Sequence, residues 1–189
     1  TSELVAWRSV DGTPLQGVVI KPGNYEPGRR YPVLVYYYEL FSQRLHEFNQ
    51  PAVNHRPSFP IYASDGYVVF LPDVRFEVGR PGFSATKSVV PGVQRLVDLG
   101  IADPDRVCIM GGSYGGYATL AGVTFTPDLY KCGVPYVAPS SLITLIESFP
   151  EYWRPFLENT WFLRVGDPQK PDERQDLAER SPLNYVDQI

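Results

Sequence analysis

Residues 111–117, with the sequence GGSYGGY, restrict the possible folds of this chain more than any other stretch. They follow the apolar run 106–110, which is typical of a buried strand, and precede the small and apolar residues 118–123, which suit a helix packed on a sheet. A Gly-x-Ser-x-Gly pattern between strand and helix favours a sharp, strained turn that holds the serine hydroxyl above the strand's carboxyl end. Ser113 is therefore our candidate nucleophile, beside the backbone N–H of Tyr114, which can face a developing oxyanion. The alternative is a glycine-rich turn in which the serine is incidental.

Apolar runs elsewhere predict strands that alternate with helices. The pair Asp11-Gly12 between two apolar runs is typical of a hairpin turn. A helical spacing of apolar residues predicts a helix over 84–99, with Pro91 near its start. The sequence therefore predicts an α/β fold with a mostly parallel sheet, helices on both faces and an opening antiparallel hairpin. The predicted strands are residues 4–7, 15–20, 32–38, 67–71, 106–110 and 132–137, and further helices are expected near 58–64 and within 140–180.

Composition and charge exclude several kinds of partner. With 189 residues the chain can bury a substantial core as one domain. Its formal net charge of −4 at pH 7 offers no basic surface, so no nucleic-acid partner is expected. No apolar run approaches the roughly 20 residues that span a bilayer, and residues 1–10 lack signal-peptide features. We therefore expect no membrane partner, and a cytoplasmic location is favoured.

The two cysteines, Cys108 and Cys132, both lie in apolar, strand-like runs. This setting favours buried, reduced thiols over a disulfide or a metal site. The cysteines and the two histidines, His46 and His55, show no metal-ligand spacing. No phosphate-binding glycine loop is present either, so we expect no metal and no cofactor.

Several motifs along nearly the whole chain resemble one protein family. The GGSYGGY turn, with its Gly-Gly-Tyr ending, is more specific than a bare Gly-x-Ser-x-Gly. On these motifs the chain resembles the prolyl oligopeptidase family of serine peptidases, which implies an α/β-hydrolase catalytic domain. The segments that carry the resemblance are residues 7–15, 31–36, 64–69, 73–75 with the Gly-Phe pair at 82–83, 111–117 and 180–186.

The resemblance also implies a second oxyanion donor. In the family a tyrosine followed by two glycines and then Phe or Pro donates its phenol to the oxyanion, and this chain has Tyr38-Glu39-Leu40-Phe41 there. Tyr38 is the matching position, so Tyr38 and the N–H of Tyr114 would form the oxyanion hole. Both glycines are replaced, and Glu39 brings a negative charge close to the hole. The alternative is that tyrosines 36–38 are simply an aromatic strand.

The segment after the strand at 132–137 usually lines, in the family, the pocket for the residue that precedes the scissile bond. Here it is rich in leucine and isoleucine, which suit an apolar side chain. We expect Ile143, Ile146 and Trp153 to bind substrate there. The alternative is that these apolar residues belong to the core.

A serine nucleophile needs a base and an acid that orients the base, and in this fold class they follow the serine as Asp or Glu and then His. No histidine follows Ser113, and His46 and His55 are expected at the surface. The resemblance implies that residues 1–189 are the N-terminal part of one catalytic domain, without the family's β-propeller and final strands and helices. We therefore expect this chain alone to be inactive, with the propeller or a complementary chain as possible partners; a homo-oligomer stays open.

The leading hypothesis for function is a serine peptidase that hydrolyses short peptides through an acyl-enzyme on Ser113. A carboxylesterase or lipase on the same fold is the alternative within the enzymes. A non-catalytic fragment that acts as a binding module is the alternative outside them, because the base and acid are missing.

Overall fold

The computed structural model describes residues 1–48, 50 and 57–189, and within them six strands form one sheet. The order across the sheet is β1-β2-β4-β3-β5-β6. The first two strands form an antiparallel hairpin, and β2 also pairs antiparallel with β4. The remaining pairs are parallel, which confirms the predicted mostly parallel sheet with an opening hairpin. The strands are β1 (Ser2–Arg8), β2 (Pro14–Ile20), β3 (Tyr31–Tyr36), β4 (Val68–Pro72), β5 (Ala102–Gly112) and β6 (Cys132–Tyr136).

The helices of the described residues pack around this sheet and continue after it in the carboxy-terminal third. No helix within residues 1–48, 50 and 57–189 is both long and apolar enough to span a membrane. A π-helical stretch, Leu157–Trp161, joins two short helices, and single 3-10 segments lie at Ser42–Arg44, Glu151–Trp153 and Pro182–Gln188. The α-helices are α1 (Phe59–Ser64), α2 (Pro81–Asp98), α3 (Tyr114–Phe125), α4 (Leu142–Glu147), α5 (Arg154–Phe156), α6 (Phe162–Arg164) and α7 (Pro171–Glu179).

The two faces of the sheet bury separate apolar clusters. On one face Trp7 and Phe70 pack with Val89 and Val93 of α2. The indole N–H of Trp7 also donates to the carbonyl of Ser88 at 2.8 Å, which ties β1 to α2. The helix α3 packs on the same face. The opposite face packs against α1 and buries Val18, Tyr36, Phe41, Phe59, Val69 and Leu71. Helices therefore cover both faces, as predicted from the alternation of strands and helices.

The position of Pro91 differs from the sequence expectation. The helix α2 begins at Pro81, so Pro91 lies in its interior rather than near its start. Proline suits the first turn of a helix because it has no N–H to donate, and Pro81 occupies that place here. The extra amino-terminal turns are held by burial of Ala85 and Val89 against the sheet. Apolar burial of these turns thus outweighs the hydrogen bond that Pro91 cannot make.

The prediction of two buried, reduced cysteines was wrong. Cys108 and Cys132 form a disulfide, with their Cα atoms 4.7 Å apart. They lie directly opposite each other on the neighbouring parallel strands β5 and β6. Cys132 is exposed because β6 is the last strand in the order of the sheet, whereas Cys108 is half-buried. The pairing follows from strand register, which the pattern of apolar residues does not reveal.

Candidate active site

Ser113 occupies the turn between β5 and α3 in a backbone conformation that few residues adopt. Its φ is 56° and its ψ −117°. A non-glycine residue at such angles costs on the order of 1–3 kcal/mol and persists only where its surroundings enforce it. The enforcing contacts are two backbone hydrogen bonds, from Ser113 N–H to the carbonyl of Tyr136 at 3.2 Å and from Tyr117 N–H to the carbonyl of Ser113 at 3.0 Å. The turn leaves the Ser113 side chain exposed at the carboxyl end of β5.

Two glycines make the turn sterically possible. A Cβ atom on Gly111 would lie 2.4 Å from the carbonyl oxygen of Gly115. A Cβ atom on Gly115 would lie 2.4 Å from the carbonyl oxygen of Tyr37, which is on the chain leaving β3. Both contacts are with backbone atoms, which have little freedom to move away. The spacing of glycines around Ser113 therefore reflects close approach of three chain segments.

A cavity of about 590 Å³ opens beside Ser113 at the carboxyl ends of the parallel strands. Its walls are largely aromatic, with charged groups from the segment that follows β3. Such an edge of an α/β sheet is the usual place for ligand binding. The side chains that line it include Tyr36, Tyr38, Glu39, Arg44 and Tyr136.

The structure brings the candidate oxyanion donors close to Ser113. Tyr38 lies two residues beyond the end of β3, lines the same cavity as Ser113 and is 40% exposed. Its ring meets the ring of Tyr114 edge to face, with centroids 6.0 Å apart. Tyr114 is the first residue of α3, so its N–H belongs to the helix's positive end. Their roles as oxyanion donors remain predictions.

The phenol of Tyr114 is held in its neutral form. Burial is the main cause that raises its pKa well above the usual value for tyrosine, and the nearby Tyr117 and Glu39 raise it further. The carboxylate of Glu39 is therefore close enough to act electrostatically on Tyr114 in the elbow, the strand-to-helix turn formed by residues 111–117. The side chain of Tyr114 packs edge to face on the ring of Phe76, with centroids 4.9 Å apart.

The expected substrate-binding residues lie away from the Ser113 cavity. Ile146 is only 4% exposed and packs with Leu177 and Tyr117, and Ile143 is packed against the same cluster. Trp153 stacks on Phe149 with ring centroids 5.0 Å apart. None of Ile143, Ile146 and Trp153 is among the residues that line the cavity of Ser113. Their role in substrate binding stays a prediction.

The structure does not bring His46, the one histidine among the described residues, to Ser113. His46 is exposed in the turn after the 3-10 segment Ser42–Arg44, and it does not line the cavity of Ser113. His55 lies outside the described residues. The hydroxyl of Ser113 makes no side-chain hydrogen bond within residues 1–48, 50 and 57–189.

Two residues of the site were missed by sequence reasoning. Tyr136 lies opposite Gly112 in the register of β5 and β6, and its hydroxyl lies 3.2 Å from that of Tyr36 in the cavity wall. A Cβ atom on Gly112 would clash with the Tyr136 ring. The glycine before Ser113 is thus the one sequence feature that indicates a large side chain packed at this position. Asp73, buried at 6% exposure, accepts hydrogen bonds from the backbone N–H groups of Phe41 at 2.7 Å and Ser42 at 2.9 Å. It fixes the segment that carries Tyr38 into the cavity.

The chain is similar in sequence to proteins of one known family. Residues 53–189 match the model of a family described as the prolyl oligopeptidase family. Dipeptidyl aminopeptidase BIII of Pseudoxanthomonas mexicana is 50% identical over 101 residues, which are 53% of this chain and 14% of that protein. Dipeptidyl peptidase family member 6 of Caenorhabditis elegans is 42% identical over 101 residues, again 53% of this chain and 14% of the relative. The matched region thus spans only about one seventh of the length of each of these curated relatives.

A solved structure shares the architecture. Acylaminoacyl peptidase from Pyrococcus horikoshii aligns with 100% of this chain and 30% of its own, with a TM-score of 0.77 at 23% sequence identity. A likeness at this identity concerns the fold alone. The predicted α/β-hydrolase fold is thereby confirmed.

Proposed function

Because the chain belongs to the prolyl oligopeptidase family, whose members are serine peptidases, we propose that Ser113 is the nucleophile of a peptidase that acts on short peptides. The single observation that carries this proposal is the backbone of Ser113, with φ 56° and ψ −117° between a parallel strand and a helix. Such strain clusters at functional sites because a merely structural serine gains nothing from it.

The proposed reaction proceeds in two steps. The oxygen of Ser113 attacks the carbonyl carbon of the peptide bond while its proton passes to a base. The oxygen of the resulting tetrahedral intermediate accepts hydrogen bonds from the Tyr38 hydroxyl and the Tyr114 N–H, each of which is typically worth about 3–4 kcal/mol. The intermediate releases the amine, which takes the proton from the base, and leaves an acyl group on Ser113. Water then hydrolyses this ester.

The base and its carboxylate partner are not found among these 189 residues in the order that this fold uses. We propose that a segment or polypeptide outside these residues supplies both. Loss of a catalytic base reduces turnover by about 10⁶ in a serine peptidase. The 189 residues alone are therefore expected to be almost inactive on peptides.

A fluorophosphonate probe tests the nucleophile directly. We expect slow labelling of the 189-residue chain at Ser113, identified by peptide mass spectrometry, and no labelling of S113A. Labelling at another residue, or unchanged labelling of S113A, would overturn the assignment of Ser113. Rapid labelling would overturn the proposal that the base lies elsewhere.

Reconstitution tests the reaction. A second polypeptide that carries the Asp and His of a related hydrolase domain is added to the 189-residue chain, with S113A as the control. We expect hydrolysis of aminoacyl p-nitroanilides by the mixture that S113A does not support. Cleavage of p-nitrophenyl esters with no cleavage of anilides would favour a carboxylesterase and overturn the peptidase.

A further inference from the structure

Glu39 places a carboxylate in the cavity of Ser113 that has no ion-pair partner among the described residues. It follows Tyr38 directly, lines the same cavity and is exposed. Within residues 1–48, 50 and 57–189 its side chain takes part in none of the ion pairs, whereas Asp11 and Glu47 pair with Lys87 and Arg44. A carboxylate beside a binding cavity that forms no ion pair with the described residues is available to a cation from outside.

The backbone from Glu39 to Ser42 is held by hydrogen bonds to Asp73 and Val74. Its own carbonyl accepts a hydrogen bond from the N–H of Val74 at 2.8 Å. Phe41 lies two residues after Glu39, and its N–H donates to the carboxylate of Asp73 at 2.7 Å. The N–H of Ser42 donates to the same carboxylate. The chain is thus tied to the segment after β4 before and after Leu40. This tethering fixes the base of the Glu39 side chain, so a ligand is met by a preorganised charge.

The rest of the wall also suits a cation. The rings of Tyr36, Tyr38 and Tyr136 line the cavity, and aromatic faces attract ammonium and guanidinium groups. Among the described residues that line the cavity, Arg44 is the one basic side chain, and it pairs with the exposed Glu47 at 3.7 Å. The negative charge of Glu39 also acts on the elbow, since it helps to raise the pKa of Tyr114.

We propose that Glu39 determines specificity by binding a cationic group of the substrate, an α-ammonium or a basic side chain, in the cavity beside Ser113; this rests on the proposed function. A free carboxylate near a forming oxyanion opposes it, because like charges repel. A bound cation compensates that charge. Cationic substrates therefore gain both affinity and relief of repulsion, and neutral substrates gain neither.

Matched peptide pairs test this binding without any chemical step. One pair is N-acetyl-Ala-Arg-Ala-amide and its citrulline analogue, which differ in charge but hardly in size. The other pair is Ala-Phe-Ala-amide and its N-acetylated form, which differ at the α-ammonium. Dissociation constants are measured by NMR titration of the 189-residue chain. We expect the cationic member of at least one pair to bind about 10-fold tighter, which corresponds to about 1.4 kcal/mol; the responding pair identifies the source of the cation.

The variant E39Q should abolish this preference, whereas E26Q should retain it, because Glu26 is an exposed loop glutamate outside the cavity. Thermal unfolding verifies that both variants fold. If E39Q does not fold, E39D retains the charge on a shorter side chain and should show an intermediate preference. Equal binding of both members in both pairs, or a preference that survives in E39Q, would overturn the role of Glu39.

The variant S113A separates this inference from the proposed function. It should bind the cationic peptides with unchanged preference, because binding needs the Glu39 carboxylate and not the Ser113 hydroxyl. Failure of the probe to label Ser113 would overturn the nucleophile while leaving the cation preference measurable. Loss of the preference in S113A would overturn the assignment to Glu39.

Discussion

The backbone N–H of Ser113 donates a 3.2 Å hydrogen bond to the carbonyl of Tyr136 at the end of β6. The same tyrosine covers Gly112 with its ring, and β6 is joined to β5 by the disulfide at its other end. The elbow is therefore held laterally by a strand at the edge of the sheet as well as by the helix that follows it. Its geometry depends on contacts remote in sequence, and these can be tested one at a time.

Adding a methyl group inside the elbow should be costly. In G115A the new Cβ would lie 2.4 Å from the carbonyl oxygen of Tyr37, and neither backbone can move without breaking the turn. We expect the free energy of unfolding to fall by about 2–3 kcal/mol, as measured by denaturant titration. The control G23A places its Cβ in open space and should change stability by less than about 0.5 kcal/mol. Equal stabilities of the two variants would contradict the close approach at Gly115.

Backbone strain at Ser113 should be measurable as stability gained on its removal. Glycine accepts a positive φ without the penalty of a Cβ atom, whereas alanine keeps that penalty. At φ 56° we expect S113G to be more stable than S113A by about 1 kcal/mol, after the entropy cost of glycine in the unfolded chain is subtracted. Both variants lack the hydroxyl, so the comparison isolates the backbone. A stability of S113A equal to or above that of S113G would show that the turn is unstrained.

Short sequence motifs correctly predicted the turns that depend on only a few neighbouring residues. Asp11-Gly12 between apolar runs and Gly-x-Ser-x-Gly between strand and helix each act within a few residues, and both turns form where they were predicted. The predicted position of Pro91 near the start of its helix was wrong, because α2 has additional amino-terminal turns that are stabilised by burial against the sheet.

The features that the sequence did not predict depend on strand register and on packing between segments that are distant in the chain. The pairing of Cys108 with Cys132 requires knowing that β5 and β6 are neighbours in one particular register. The residues Ile143 and Ile146 have the same apolar character whether they line a pocket or a core, and Ile146 packs with Leu177 of α7. Tyr136 enters the site only through the strand pairing that sets it beside Gly112.

Breaking the disulfide should destabilise the sheet edge. The two cysteines are 24 residues apart in sequence, and closing a loop of that size is worth about 3 kcal/mol through the unfolded chain. We expect reduction with a phosphine to lower the free energy of unfolding by about that amount, as measured by guanidinium titration. The double variant C108S/C132S should show the low value with and without reductant. An oxidised and a reduced chain of equal stability would rule out the Cys108–Cys132 bond.

The ion pair of Asp11 with Lys87 at 2.6 Å joins the hairpin turn to α2 and should make stability depend on pH. The hydrogen bond from Lys87 is the main cause that holds the pKa of Asp11 well below its usual value, and hydrogen bonds from Ser9 and Thr13 add to it. A carboxyl group whose pKa is lower in the folded than in the unfolded chain stabilises the fold above its unfolded pKa, near 4, and loses that contribution as pH falls through the folded value.

The variant D11N should therefore unfold at a lower temperature than wild type between pH 5 and pH 8, by a constant margin. The margin should begin to shrink below about pH 4, where the carboxyl of the unfolded chain takes up a proton, and should vanish once the pH falls below the lowered pKa of folded Asp11. Thermal unfolding followed by circular dichroism across this range measures it. D128N removes an exposed carboxylate that forms no ion pair within the described residues and should give no such margin. If D11N and D128N have the same profile from pH 2 to pH 8, Asp11 does not hold the hairpin to α2.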